Sequence, residues 1–199
     1  MANRNSAGFG FRQSGTLGNT PANQGLSQYW IDSGASVDLF NGMAMKSSGG
    51  YMITGESATT VTTIGVLYGI YYNAASTNKP TWAHWYDATI TPANSEDTQA
   101  FVNDYPFQKY TIASDTAVAA NVPAAHVKFM ETFSVNANTG GSTSTGRSTT
   151  SLEIATTHAT THSWRLLISA EETENSDLTA AYCSLEVVQN LSEFVGTGT

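Results

Sequence analysis

Short apolar, β-branched and aromatic runs recur along this chain about every ten residues, each cut off by Gly, Asn, Ser or Pro. That spacing constrains the fold more than any other feature. Many short strands joined by tight turns predict an all-β body, a single barrel or sandwich of antiparallel strands. The strongest strand signal is VTTIGVLYGIYY, where Ile64, Val66, Tyr68, Ile70 and Tyr72 alternate with Gly65, Leu67, Gly69 and Tyr71. Two glycines on one face predict a close backbone approach or a bend. PTWAHWY follows with Trp82, His84 and Tyr86 predicted on one face and Trp85 on the other. Asp104-Tyr105-Pro106 is expected to split QAFVNDYPFQKYTIAS into two strands. Trp164, Leu166 and Ile168 alternate in one closing strand, and Cys183, Leu185 and Val187 in the last. Residues 117–133 read either as a short helix or as a strand pair, with Pro123 limiting a helix. NANTGGSTSTGRS is low in complexity and reads as a loop.

Composition narrows the function classes. The chain has 199 residues and a net charge of -8, with only 12% charged residues. Eight lysines and arginines, scattered along the chain, do not make the basic face that nucleic acid or an anionic membrane requires. No run reaches the roughly 18 apolar residues of a membrane span, and the opening lacks the apolar core of a secretory signal. With Cys183 as the single cysteine, no disulfide can form within the chain, which suits folding in a reducing compartment such as the cytoplasm.

No motif assembles into a catalytic or metal site. His158 and His162 are four apart, but no glutamate stands beside the first as a base, and the Thr-rich context reads as a strand end or turn. The acidic stretch EETENSD, holding Glu171, Glu172, Glu174 and Asp177, lacks the glycine of a calcium loop and reads as a solvated hairpin tip. GFGFRQSG has Gly-x-Gly without the third glycine or a preceding strand. No G-x-S-x-G elbow occurs. The expectation is a protein that is no enzyme and carries no cofactor and no metal. Asn190-Leu191-Ser192 forms a glycosylation sequon within a strand-like run. Trp82, Trp85 and Tyr86 are candidates for a carbohydrate platform, with core and interface packing as the competing use of such rings.

The first 25 residues differ from the rest. Apart from Met1, their large apolar side chains are Phe9, Phe11 and Leu17, set among Gly, Asn, Ser, Thr and Gln. They read as an extended arm (1–25) on a β-body (26–199), unable to build a core and expected to order only against a partner. In that reading Phe9, Phe11 and Leu17 are anchors, and Arg12 is a hydrogen-bonding clamp.

Several blocks carry a family likeness. YWIDSGASVDLFNGMAMKSSGGYM resembles a block of tailed-phage virion proteins, especially from marine and cyanobacterial phages, through Tyr29, Ile31, Ser33, Gly34, Leu39, Phe40 and Gly42. It departs at Met43, where the family often has Asp. IGVLYGIYY, AFVNDYP, TSTGRSTTSLEI and the opening GFGFRQSGTLGN resemble further blocks in the same order, with Tyr105 in place of an acid and Gln13 in place of a proline. The resemblance covers most of the chain. It implies a structural protein of the virion, of the kind that decorates or cements the capsid exterior. The implied partners are the major capsid protein and further copies of this chain, with a homotrimer expected from the architecture of many cement proteins. The alternative is a tail- or surface-associated module that binds host glycan through Trp82, Trp85 and Tyr86.

Overall fold

The computed structural model describes residues 3–18, 25–55, 62–136, 140–155, 159–170 and 172–194. Its strands in chain order are β1 (Arg12–Thr16), β2 (Ser27–Ile31), β3 (Ala44–Ser48), β4 (Tyr51–Thr54), β5 (Gly65–Ala74), β6 (Lys79–Ala83), β7 (Thr98–Asn103), β8 (Gln108–Ala113), β9 (Thr132–Phe133), β10 (Val135–Asn136), β11 (Gly141–Ser142), β12 (Arg147–Ser148), β13 (Ser151–Leu152), β14 (Trp164–Ser169) and β15 (Ser184–Gln189). The short helix α1 (Val122–Val127) resolves the ambiguous stretch: Asn121 caps it by accepting from the Ala124 amide, and Pro123 sits in the first turn, where it costs no hydrogen bond.

Two antiparallel sheets carry the fold. One runs β1-β8-β15-β14-β9; the other runs β2-β7-β5-β3-β4, with β6 also paired to β5. Both sheets are open-ended, so the body is a sandwich and not a closed barrel. The Asp104–Phe107 break lets the chain leave β7 in one sheet and enter β8 in the other. Buried Asn103 and Gln108 bond across that corner (3.4 Å), and the Tyr110 hydroxyl donates to the Asn103 carbonyl (3.2 Å).

Two apolar clusters form the core. The first holds Tyr110, Ile112, Phe133, Leu152, Trp164, Leu166, Cys183, Leu185 and Val187, and takes in Ala44 and Val66 from the second sheet. The second holds Ile31, Leu39, Phe40, Met43, Met45, Leu67, Ile70, Tyr86, Ala100 and Val102. The predicted alternation along β5 breaks at Tyr68. The register slips between Leu67 and Gly69, so Leu67 and Ile70 pack in one cluster although they are three apart. A second slip between Leu166 and Ile168 turns Ile168 outward, so it does not share the buried face of Trp164 and Leu166. The glycine expectation holds at Gly65, where an added Cβ would lie 2.0 Å from the Asn103 carbonyl oxygen.

The N-terminal segment departs most from the sequence reading. Its described part, residues 3–18, belongs to the body. β1 pairs with β8, and the Phe11 amide donates to the Gly42 carbonyl at 2.9 Å. The Phe11 ring lies against Trp164 (4.1 Å between centroids) and meets Tyr110 edge-on (5.7 Å), buried with both. The acidic stretch anchors the segment's start: Asn3 bonds the backbone of Asp177 and Ala181, and Arg4 pairs with Glu174 at 2.5 Å. Composition suggests a segment too poor in apolar side chains to fold unaided. One phenylalanine suffices because the body supplies the other two rings.

Phe11→Ala should therefore destabilise the whole protein by about 3–5 kcal/mol, read from the midpoint of denaturant unfolding. A truncated chain lacking residues 1–18 should be unstable, whereas a truly separate arm would leave the midpoint unchanged. Cys183 is buried beside the Ser114 hydroxyl (3.3 Å), and burial raises its thiol pKa. It should resist a thiol reagent in the native protein and react at once after unfolding in guanidinium.

Candidate functional site

Two surface depressions flank one exposed face of the second sheet. Residues directly opposite in neighbouring strands share a face. The face that carries Ala44, Val66 and Asn103 packs toward the first sheet at one end of β5. Beyond the Tyr68 bulge it emerges to solvent. There the pairings Trp30–Gln99–Tyr71–Trp82 and Gln28–Phe101–Gly69 lay a strip of rings across β2, β7, β5 and β6. Trp30 is 48% exposed and Trp82 44%. Trp82 lies 4.9 Å from the Phe101 ring and 6.3 Å from the Tyr68 ring. It covers Gly69, where an added Cβ would stand 2.6 Å from the indole.

At one end of the strip is a groove of about 550 Å³ lined by Trp30, Tyr71, Asn73, Glu96, Asp97 and Gln99. Asp97 is held in place by the Tyr51 hydroxyl (3.0 Å) and the Ser33 amide (2.9 Å). The carboxylate in turn raises the Tyr51 hydroxyl pKa through that hydrogen bond. Aromatic faces beside fixed carboxylates and amides are the elements with which proteins hold the apolar face and the hydroxyl rim of a sugar ring.

At the other end is a cleft of about 420 Å³ that includes Arg12, Asn41, Tyr68, His84 and Arg147. Its frame is a knot of backbone hydrogen bonds. Phe11 N–H donates to Gly42, Gly42 N–H to Leu67, Asn41 N–H to Gly146 and Ser148 N–H to Asn41, each at 2.9 Å. The Asn41 side chain also donates to the Tyr68 carbonyl. Gly146, at φ +67°, packs so closely on Trp85 that an added Cβ would fall 2.7 Å from the ring.

The structure divides the sequence-derived candidates. Trp82, Trp85 and Tyr86 do not form one platform. β6 ends at Ala83, the alternation stops with it, and the three rings go separate ways. Trp82 stays on the open face, Trp85 stacks on Phe40 (5.1 Å, 11° between planes), and Tyr86 is buried in the second cluster at 1% exposure. Of the N-terminal candidates, Phe11 is a core residue. Phe9 carries the Arg12 guanidinium 3.9 Å above its ring. Leu17, 36% exposed, donates its amide to the Phe107 carbonyl (2.9 Å). Phe107 is 51% exposed and meets Tyr105 edge-on, so an apolar patch forms at the corner between the sheets. Trp30, Tyr71 and Phe101 were missed because they lie on three different strands, and only pairing across strands brings them together.

The histidine pair divides too. His158 lies outside the described residues, while His162 is buried with Nδ1 3.2 Å from the Thr132 carbonyl oxygen. Among the described residues no group of three or more His, Cys, Asp or Glu is placed to hold a metal ion, and no helix is long and apolar enough to cross a membrane. Compared with known proteins, the chain matches no family model, no curated protein and no solved structure.

Gly69→Ala should lift Trp82 off the sheet at a cost of about 1–3 kcal/mol in stability. The readout is acrylamide quenching of tryptophan fluorescence, which should rise relative to the parent protein; unchanged quenching would mean that Trp82 does not rest on Gly69.

Proposed function

We propose that this chain is a non-enzymatic structural protein of a tailed-phage virion, one that binds the outside of the capsid and cements neighbouring capsomers. It would fold in the host cytoplasm and act as a homotrimer against the major capsid protein. One observation carries the reading. Four of the blocks that resemble phage virion proteins are far apart in sequence, yet they meet in one place. Gly10 and Phe11, Asn41 and Gly42, Leu67 and Tyr68, and Gly146 and Arg147 form the backbone knot described above. The blocks that carry the likeness thus share one part of the fold, while the likeness itself rests on their sequence and order.

The body suits such a role. It is a sandwich with a terminal strand, β1, at one sheet edge. Beside that strand lies the Leu17, Tyr105 and Phe107 patch, where a neighbouring subunit can bury apolar surface. Attachment through these residues differs from the anchoring expected of Phe11, which the core already uses.

The double variant Leu17→Ser/Phe107→Ser should keep the parent's unfolding midpoint within a few degrees and lose at least tenfold in binding to expanded capsids stripped of this protein, measured by co-sedimentation. Parent-level binding would remove the patch from the interface, and failure of the parent protein to bind any such capsid would sink the reading. Because the contact is apolar, binding should survive a change from low to physiological salt.

A second reading, host glycan binding, is favoured by the exposed strip of Trp30, Tyr71, Trp82 and Phe101 rather than by the three rings chosen from sequence. A glycan array probed with the parent protein and Trp30→Ala separates it from the first: a specific sugar lost in the variant, with capsid binding intact, supports it.

A further inference from the structure

The cleft at the knot collects positive charge in a chain that has little of it. Arg12 and Arg147 are two of only eight lysines and arginines, set against sixteen carboxylates. Both open into the same depression, together with His84. Among the described residues no aspartate or glutamate lines it. Neither arginine makes an ion pair among the described residues, whereas Lys109 and Arg4 are paired with Glu186 and Glu174. Like charges brought together with no counter-charge in the cleft itself are unfavourable unless a ligand supplies one. Partial burial and then the neighbouring Arg147 lower the Arg12 pKa, and Glu172 acts in the other sense, which fits two cations that feel each other.

Arg12 is held at its guanidinium and Arg147 at its backbone. Arg12 rests on the Phe9 ring at 3.9 Å, a cation–π contact that fixes the guanidinium. Arg147 opens β12, which is tied to Asn41 by backbone bonds on both sides. Two planar forks on fixed supports suit a carboxylate or sulfate group, which each can grip with paired N–H donors. Tyr68 lines the cleft and reaches toward Trp82, so the charged pocket continues into the aromatic strip. The volume, about 420 Å³, is in the range of small-ligand sites.

We propose that this cleft binds an acidic sugar unit, its carboxylate or sulfate between Arg12 and Arg147 and its ring against Tyr68 and Trp82. The capsid reading neither predicts nor requires this. Leu17 lies past the far end of β1 from Arg12, so the two surfaces can be tested separately.

The experiment is calorimetric titration of the full chain with a polyuronate tetrasaccharide, a sulfated disaccharide, a neutral trisaccharide, inorganic sulfate and an oligo-aspartate peptide. At least one acidic sugar should bind, and which one does assigns the anion. Arg12→Gln and Arg147→Gln should each weaken it tenfold or more, and Arg147→Lys should recover part of the loss. Trp82→Ala should weaken the sugar at least threefold and leave inorganic sulfate unchanged, while Leu17→Ser/Phe107→Ser should bind the sugar like the parent. The idea is overturned if neither acidic sugar binds, if Arg147→Gln binds like the parent, if the neutral trisaccharide binds as tightly, or if oligo-aspartate matches the sugar regardless of Trp82. Both arginines reach the surface, so their variants should fold; unchanged thermal unfolding confirms it.

Discussion

The packing of Phe11 against Trp164 and Tyr110 holds this molecule together in more than the usual sense. Trp164 belongs to β14 and Tyr110 to β8, strands separated in their sheet by β15. Phe11 comes from the segment just before β1. One ring therefore ties the N-terminal segment to the middle and the late part of the chain. Its neighbours follow from it. With Phe11 fixed, its amide reaches Gly42, Arg12 is aimed outward over Phe9, and β1 falls into register along β8. A core residue thus sets the direction of a surface cation, and packing is converted into a binding geometry.

The surface is organised by the same economy. β5 is the longest strand, and at Tyr68 it changes which face it shows. Before the bulge, Val66 closes the contact between sheets; after it, Tyr71 joins the open aromatic strip. One extra residue therefore separates the part of the face that is core from the part that is available to a ligand. Gly69 lets Trp82 lie close on that open part, where a side chain would meet the indole.

Much of the architecture was legible in the sequence. The turn spacing predicted antiparallel strands, Asp104-Tyr105-Pro106 marked the break between two strands that prove to lie in different sheets, and Cys183, Leu185 and Val187 are buried as their alternation implied. The misses have local physical causes. The two bulges cannot be seen in a period of two, so Ile168 was assigned to the wrong face. PTWAHWY was read as one strand, but pairing ends at Ala83, so Trp82 and Tyr86 parted, one to solvent and one to core. The acidic stretch looked like a solvated tip because charge alone does not show what it holds, here Asn3 and Arg4. The N-terminal segment looked detachable because composition counts a segment's own apolar residues and not the pocket waiting for them. The candidate cleft was the least legible feature of all, since its residues come from five separate stretches that only the folded chain brings together.

The anchoring of the first residues also has a temporal consequence. Asn3 finds its partners 174 to 178 positions further along the chain, and Phe11 waits for Trp164. These earlier-made residues can take their final places only after partners more than 150 positions later have emerged from the ribosome. Loop closure over such distances comes before its reward, which slows folding of mostly non-local β-structures. Until then the edge of β8 that β1 will cover stands open, able to pair with the same edge of another nascent copy. A late-closing N-terminal strand is thus a step at which folding alone competes with folding together, and one chain's first strand can in principle complete a neighbour's sheet.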